Sequence, residues 1–438
     1  MQDIFNGRES HRFVSGTREV ARGGSAEKSR WLIVLCGMLI NLALGAVYAY
    51  SVLAVYFKTT FKELYGVNLS ATEVQLPFIT ALFLFSVTMP LMGKYIEKYG
   101  PRPIVATGGI LAGLGWFASS YARDALTLVL SYGVITGIGL GTAYNAPIVT
   151  SGRWFPEKRG LAVGLTVLGF GLSAAVVGPL IDFLSSSIGF LNALRVLGVL
   201  FTALICVCAI PLRFPPPEWT PSTVPHSEKP PAGQGAPRDL MRREMVRTRT
   251  FVGLWLSYAI GTLAGLMAIG VAKLVGLEVA ERAGIPASEA SATLTLLVIP
   301  FAVSNGLGRP IFGWITDKIG PRRTAALSFG LIFASSVLMY TFPSSLAIYV
   351  AAFTILWMNL GGWLAIAPAS TARFFGMKDY ARNYGLVFTA YGVGAILGNL
   401  LAGQAKDALG SYIAVFPYVA LLALTGIVIA TLTLKQPQ

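Results

Sequence analysis

Arg309 is the residue with the clearest chemical purpose. It sits in NGLGRPIFG, within a mostly apolar run over 290–314. Charge inside an apolar span is costly, so such a residue is a functional candidate by default. A planar guanidinium can hold a carboxylate through two parallel hydrogen bonds, which makes anion binding its natural chemistry. Asp317, at the end of the same run, lies roughly 12 Å away at 1.5 Å rise per residue. The alternative is that the long side chain reaches back to the nearer interface.

Further polar groups fall inside other apolar runs: Tyr48, Tyr50 and Ser51, then Tyr144 and Asn145, Tyr258, Asn305, Asn359 and Trp363, and Tyr391. Their hydroxyls, amides and indole N–H can bond a small polar solute. Packing is the other use of a tyrosine in such a run. The acids, among them Glu97, Asp182, Asp317 and Asp407, read as lying in tails, loops or span ends, as do His11 and His226. Lys273 reads as interfacial rather than as a ligand, and Arg195 as an anchor. Cys36, Cys206 and Cys208 lie in apolar runs and suggest neither a disulfide framework nor a metal cluster. No HExxH, GxSxG or phosphate-loop pattern is present, and the glycines of GIGLG at 137–141 and GVGAILG at 392–398 suit helix packing. An enzyme is not expected, and neither is a cofactor.

The elements that must position these residues follow from composition. Hydrophobic residues make up 54% of the 438-residue chain and charged residues 12%. Soluble domains carry roughly 25% charged residues. With a mean hydropathy of +0.65, the chain must dissolve in lipid, where helices satisfy their own backbone. The net charge of +14 therefore concerns membrane topology, and no nucleic-acid partner is expected.

Apolar runs long enough to cross ~30 Å of hydrocarbon lie near 31–57, 74–95, 102–121, 126–150, 160–184 and 190–212. They resume at 251–273, 290–314, 322–342, 345–370, 384–405 and 411–434. The expected fold is an all-α membrane protein with twelve spans in two six-helix bundles. Its parts are a tail over 1–30, bundles over 31–212 and 251–438, and a linker over 213–250. The first run is long enough to be a span rather than a cleaved leader. The linker is proline-rich at first, then basic over Arg238–Arg249, a stretch suited either to a surface helix on anionic headgroups or to a solvated linker. Most of the 34 lysines and arginines fall on the side holding both termini and the linker. The positive-inside rule makes that side cytoplasmic. The expected location is the plasma (inner) membrane, with the monomer as functional unit.

The two bundles share a motif. GKYIEKYGPR at 93–102 and GWITDKIGPR at 313–322 match at one constant offset. Gly93, Glu97, Gly100 and Arg102 pair with Gly313, Asp317, Gly320 and Arg322. Pro90 with Pro310 and Arg153 with Arg373 keep that offset. The first glycine suggests close helix approach, the acid ends one span, the second glycine turns the chain, and the arginine starts the next span. Acid and arginine can pair across the loop or bond a neighbouring helix end, forming a latch that holds one conformation. Met89 is the repeat partner of Arg309, so topology does not require a cation there.

The duplicated motif, twelve spans and central linker resemble the major facilitator superfamily over 31–434. RWFPEKRGLAVG at 153–164, EMVRTRTFVGLW at 244–255, NGLGRPIFGWITDKIG at 305–320 and ARNYG at 381–385 are similar to the oxalate/formate antiporters, relatives of the monocarboxylate transporters. The resemblance implies alternating access of two halves around a central site, with Arg309 binding substrate carboxylate. Tyr48 and Tyr144 match polar aromatic positions of the family. In animal-type monocarboxylate carriers an aspartate stands one turn before the arginine. Asn305 stands there in this chain, which weighs against a proton relay. The oxalate carrier has a second cation, a lysine, where this chain has Tyr391, and Leu360 and Leu364 replace aromatics. One cation suits one carboxylate. The expectation is a transporter of lactate, formate, acetate or pyruvate type, working as an antiporter or a proton-linked symporter. The substrate contacts would come from Arg309, Tyr48, Tyr144, Asn305, Tyr391 and Asn359.

Overall fold

The computed structural model describes residues 30–216, 239–376 and 378–436. The basic tail before Arg30 and the proline-rich part of the linker lie outside them.

Twelve long helices form among the described residues. The first bundle holds α1 (Arg30–Tyr65), α2 (Ala71–Tyr99), α3 (Pro101–Ser119), α4 (Ala125–Trp154), α5 (Arg159–Ile188) and α6 (Phe190–Ala209). The second holds α7 (Arg249–Arg282), α8 (Ala287–Ile319), α9 (Pro321–Thr341), α10 (Leu346–Phe375), α11 (Tyr380–Leu409) and α12 (Phe416–Thr433). Eleven candidate spans are long and apolar enough to cross a membrane. The exception is α3, whose Pro-Arg-Pro start and glycines dilute its hydropathy. The helices overrun the apolar runs at most ends, because a helix continues past the hydrocarbon into its polar turns.

The repeat is visible in the backbone. Gly100 and Gly320 end α2 and α8 at φ 81° and 82°, a region open to glycine. Pro101 and Pro321 then open α3 and α9 at the first helical position, where a missing N–H costs nothing. These two turns mark one end of the molecule, the motif end.

α3, α6, α9 and α12 carry exposed apolar side chains such as Ile110, Val207, Leu338, Leu421 and Val428. This is the surface that a lipid-facing ring requires. α7 is buried along most of its length. The bundles meet where α2 packs on α11, α5 on α8 and α1 on α7. After the linker, Leu240 N–H donates to the Phe375 carbonyl at 3.0 Å, and Asn383 Nδ2 to the Leu240 carbonyl at 3.0 Å. Among the described residues the basic stretch forms a short helix, Arg242–Met245, docked on the α10–α11 turn, before Arg249 opens α7.

Candidate functional site

α8 reaches the centre because it can approach α10 without side chains between them. A Cβ on Gly308 would lie 2.1 Å from the Met358 carbonyl oxygen, and one on Gly361 would lie 1.9 Å from that of Asn305. Only glycine permits this spacing, and it fixes the rotation of α8. Asn305 and Arg309, one turn apart, consequently face α5 of the other bundle.

The guanidinium of Arg309 holds a backbone carbonyl of the other bundle and stands beside the Tyr144 hydroxyl as a side-chain partner. Nη1 donates to the Val167 carbonyl of α5 at 2.7 Å. Nε and Nη2 are buried without a hydrogen-bond partner. Those two nitrogens form the side edge of the guanidinium, whose parallel N–H bonds match the two oxygens of a carboxylate. Leaving such donors unmatched in a buried site is costly. The phenols of Tyr48, Tyr144 and Tyr384 lie within electrostatic reach of this charge. The arginine therefore turns into the interface between the bundles and does not reach for the motif-end surface.

Around it stands an aromatic box. Tyr48 of α1 and Tyr391 of α11 share a 2.8 Å hydrogen bond between hydroxyls across the two bundles, and both are fully buried. Phe85 of α2 packs on Tyr144 and Phe170 within its own bundle and on Phe388 and Tyr391 of the other, with ring centroids 5.0–5.9 Å apart. Tyr258 adds a buried hydroxyl that faces the Tyr384 hydroxyl, and Trp363 a buried indole N–H without a partner.

The sequence candidates divide clearly. Arg309, Tyr48, Tyr144, Tyr391 and Asn305 come together. Asn305 spends its Nδ2 on the Trp357 carbonyl at 3.0 Å, while its Oδ1 is buried and unpartnered beside Gly171. Asn359 does not join them. Its oxygen accepts from Ser328 of α9 at 2.6 Å and its nitrogen donates to Ile355 at 2.8 Å, so it ties the second bundle together. Tyr384, Phe85, Phe170 and Phe388 were missed. Tyr384 sits in the ARNYG signature and could have been found there, whereas phenylalanines in apolar runs give no signal.

In the first copy of the motif the acid and the arginine each bond a neighbouring helix end and not each other: Glu97 pairs with Arg153 at the end of α4, and Arg102 donates to the Leu212 carbonyl just past α6 at 3.0 Å, the second of the two arrangements the motif allows. Gly93 faces open space and Gly313 makes one ordinary contact with Ala365, so neither supports close helix approach. Lys273 is not interfacial: it is 1% exposed and lies 3.4 Å from Asp182 of the other bundle. Asp182 is a span-end acid, in the last turns of α5, and it faces the other bundle.

Two six-helix bundles closing on a buried cation define a multi-pass membrane carrier. The pattern of the Major Facilitator Superfamily matches residues 31–278 and 260–438, and the chain belongs to that superfamily: it is a transporter, not an enzyme. The oxalate:formate antiporter of Oxalobacter formigenes is 29% identical over 375 residues, covering 84% of this chain and 83% of that one. Monocarboxylate transporter 4 of Rattus norvegicus is 26% identical over 414 residues, covering 92% and 82%. A bacterial homologue of the human lysosomal transporter Spinster, crystallised inward-facing and unoccupied, has the same fold. Its TM-score is 0.61 at 17% identity, over 93% of this chain and 94% of that one.

Proposed function

We propose that the protein is a secondary transporter of small monocarboxylates, of the lactate, formate, acetate or pyruvate type, with Arg309 as the carboxylate ligand. The observation that carries this reading is the buried guanidinium edge, with Nε and Nη2 both unpartnered. The box opposite it supports the remainder of the assignment. Phe85, Phe170 and Phe388 offer apolar surface, so the site suits a solute with one charged end and one small apolar end. Tyr48, Tyr144, Tyr391 and Asn305 supply the remaining polar contacts. Oxalobacter formigenes and Rattus norvegicus relatives named for oxalate, formate and monocarboxylates point the same way.

Exchange of one anion for another is the mode this site favours. Among the described residues no carboxylate pairs with Arg309. Closing the halves around the bare cation is costly, and a bound anion offsets that cost. Uptake that runs equally well into vesicles with and without internal anion rules out obligate exchange. The motif end, both termini and the linker face the cytoplasm in this reading. Bundles 31–212 and 251–438 rock against each other within a monomer of the plasma (inner) membrane, and the motif residues Glu97, Arg102, Asp317 and Arg322 act at their loops.

The Arg309–Val167 bond favours a second reading, in which the arginine only fastens α8 to α5 and the solute is of another kind. A thermal-shift panel of small carboxylates on purified protein separates the two. Stabilisation by carboxylates that disappears in Arg309→Ala supports the ligand role. Stabilisation that survives the substitution removes Arg309 from the site.

A further inference from the structure

Three contacts join the bundles at the end opposite the motif loops. Lys273 of α7 donates to Thr295 Oγ1 of α8 at 2.6 Å, and its Nζ lies 3.4 Å from both carboxylate oxygens of Asp182 on α5. Gln75 Nε2 of α2 donates to the Gly270 carbonyl of α7 at 3.3 Å. Asp407, near the end of α11, accepts from the backbone N–H groups of Ala71 and Thr72 at 2.7 and 2.8 Å. Each contact links one bundle to the other. The motif-end pairs Arg30–Glu157, Arg153–Glu97 and Arg382–Asp379 each stay within one bundle.

The Asp407 contact completes a helix terminus. The first N–H groups of a helix have no intrahelical partner. In α2 the Ser70 side chain accepts from Glu73, and the Glu73 carboxylate accepts from Ser70, a closed capping box. The N–H groups of Ala71 and Thr72 are left over, and Asp407 of the other bundle takes both. A carboxylate is favoured at this position by the helix dipole as well. The cap of α2 is therefore whole only while the two bundles touch at this end.

The Lys273 contact works differently. Lys273 and Thr295 belong to the same bundle and move together, while Asp182 leaves with the other. Separation strips a buried ammonium of its counter-charge, and opening then requires water to reach it. One contact thus resists opening through charge burial, the other through backbone capping.

We propose that Lys273–Asp182 and Asp407–Ala71/Thr72 form a two-part gate that seals this end of the transport path and must open once in every cycle. The gate sets how often the carrier turns toward this side, whichever solute Arg309 receives.

The test uses the full-length protein in vesicles, with Cys36, Cys206 and Cys208 replaced by alanine. A single cysteine at Val298 is the reporter. Val298 is fully buried on α8, one turn beyond Thr295, against Gly178 of α5. A membrane-impermeant maleimide, added with no substrate at the side opposite the motif loops, reads opening of the gate. Asp182→Asn and Asp407→Asn are each expected to raise the labelling rate about tenfold, the effect of one charged hydrogen bond on a two-state balance. The exchanged pair Lys273→Asp with Asp182→Lys is expected to return the rate toward that of the parent. Asp407 is exposed, so Asp407→Asn folds even where changes at the buried pair do not, and it decides the matter alone in that case. Unchanged labelling in a folded Asp407→Asn, or in both neutral variants, overturns the gate. Because no substrate is present, that outcome leaves the carboxylate reading of Arg309 untouched.

Discussion

At equivalent places on α2 and α8 the two bundles present opposite chemistry. The first carries Phe85 and Met89, and the second carries Asn305 and Arg309. The scaffold around these pairs is shared: Pro90 and Pro310 follow directly inside the helices, and Gly100 and Gly320 end them with nearly the same φ. One copy builds an aromatic wall through Phe85, and the other builds a cationic edge through Arg309. A pseudo-symmetric frame thus encloses an asymmetric site. In the proposed reading this asymmetry gives an amphiphilic anion one preferred orientation between the copies.

The sharpest way to break this contrast is to treat the paired positions alike. Arg309→Ala and Arg309→Lys are expected to lower carboxylate affinity by about 2–5 kcal/mol, because a lysine cannot reproduce the two-pronged grip. Met89→Leu, a volume-conserving change at the repeat position, is expected to cost under about 1.5 kcal/mol and leave affinity near the parent value. Titrations followed by thermal shift measure both. Equal losses at the two positions would end the claim that the bundles divide the work.

A second cation tests the other side. Tyr391→Lys removes the hydrogen bond to Tyr48 and places an ammonium across the box from Arg309. The expected result is a shift of the oxalate-to-acetate affinity ratio toward oxalate by about tenfold, from one new charge-assisted contact. Competition uptake with the two anions reads the ratio directly. An unchanged ratio places Tyr391 outside the solute's reach.

Weaker effects are expected at the bridge and the loops. Tyr48→Phe and Tyr391→Phe each remove the same bond and are expected to cost about 1 kcal/mol. The double variant should cost little more than either single one. Melting temperatures of the three proteins give the coupling. The smallest difference concerns the motif. Glu97 pairs with Arg153, a partly exposed contact, whereas Asp317 forms no ion pair among the described residues. Glu97→Gln is expected to cost up to about 1 kcal/mol and Asp317→Asn close to nothing. Chemical denaturation in detergent compares them.

Much of the architecture was legible because lipid solvation leaves so few options. Long apolar runs forced helices, and the duplicated GPR turn aligned the bundles even at α3, where hydropathy alone falls short. Arg309 was legible for the same reason: a charge in an apolar run stands out. Its partner was not, because the Val167 carbonyl belongs to the backbone and has no letter of its own in the sequence. Asn359 misled because a polar residue in a span announces burial without saying which neighbour it faces, and its neighbour is Ser328. Lys273 and Asp182 both read as end residues in the sequence. Each lies near a helix end, and their meeting depends on how two bundles dock, which no local pattern encodes.

The Arg309–Val167 bond has a last consequence. The group that occupies Nη1 is the backbone of the opposite bundle, so in the proposed reading a carboxylate on the Nε–Nη2 edge shares one guanidinium with the protein's own main chain. Solute and α5–α8 seam then meet on a single side chain. Any motion that draws α5 away from α8 strips Val167 from Nη1 while the ligand keeps the other edge, so seam and bound anion are energetically linked there.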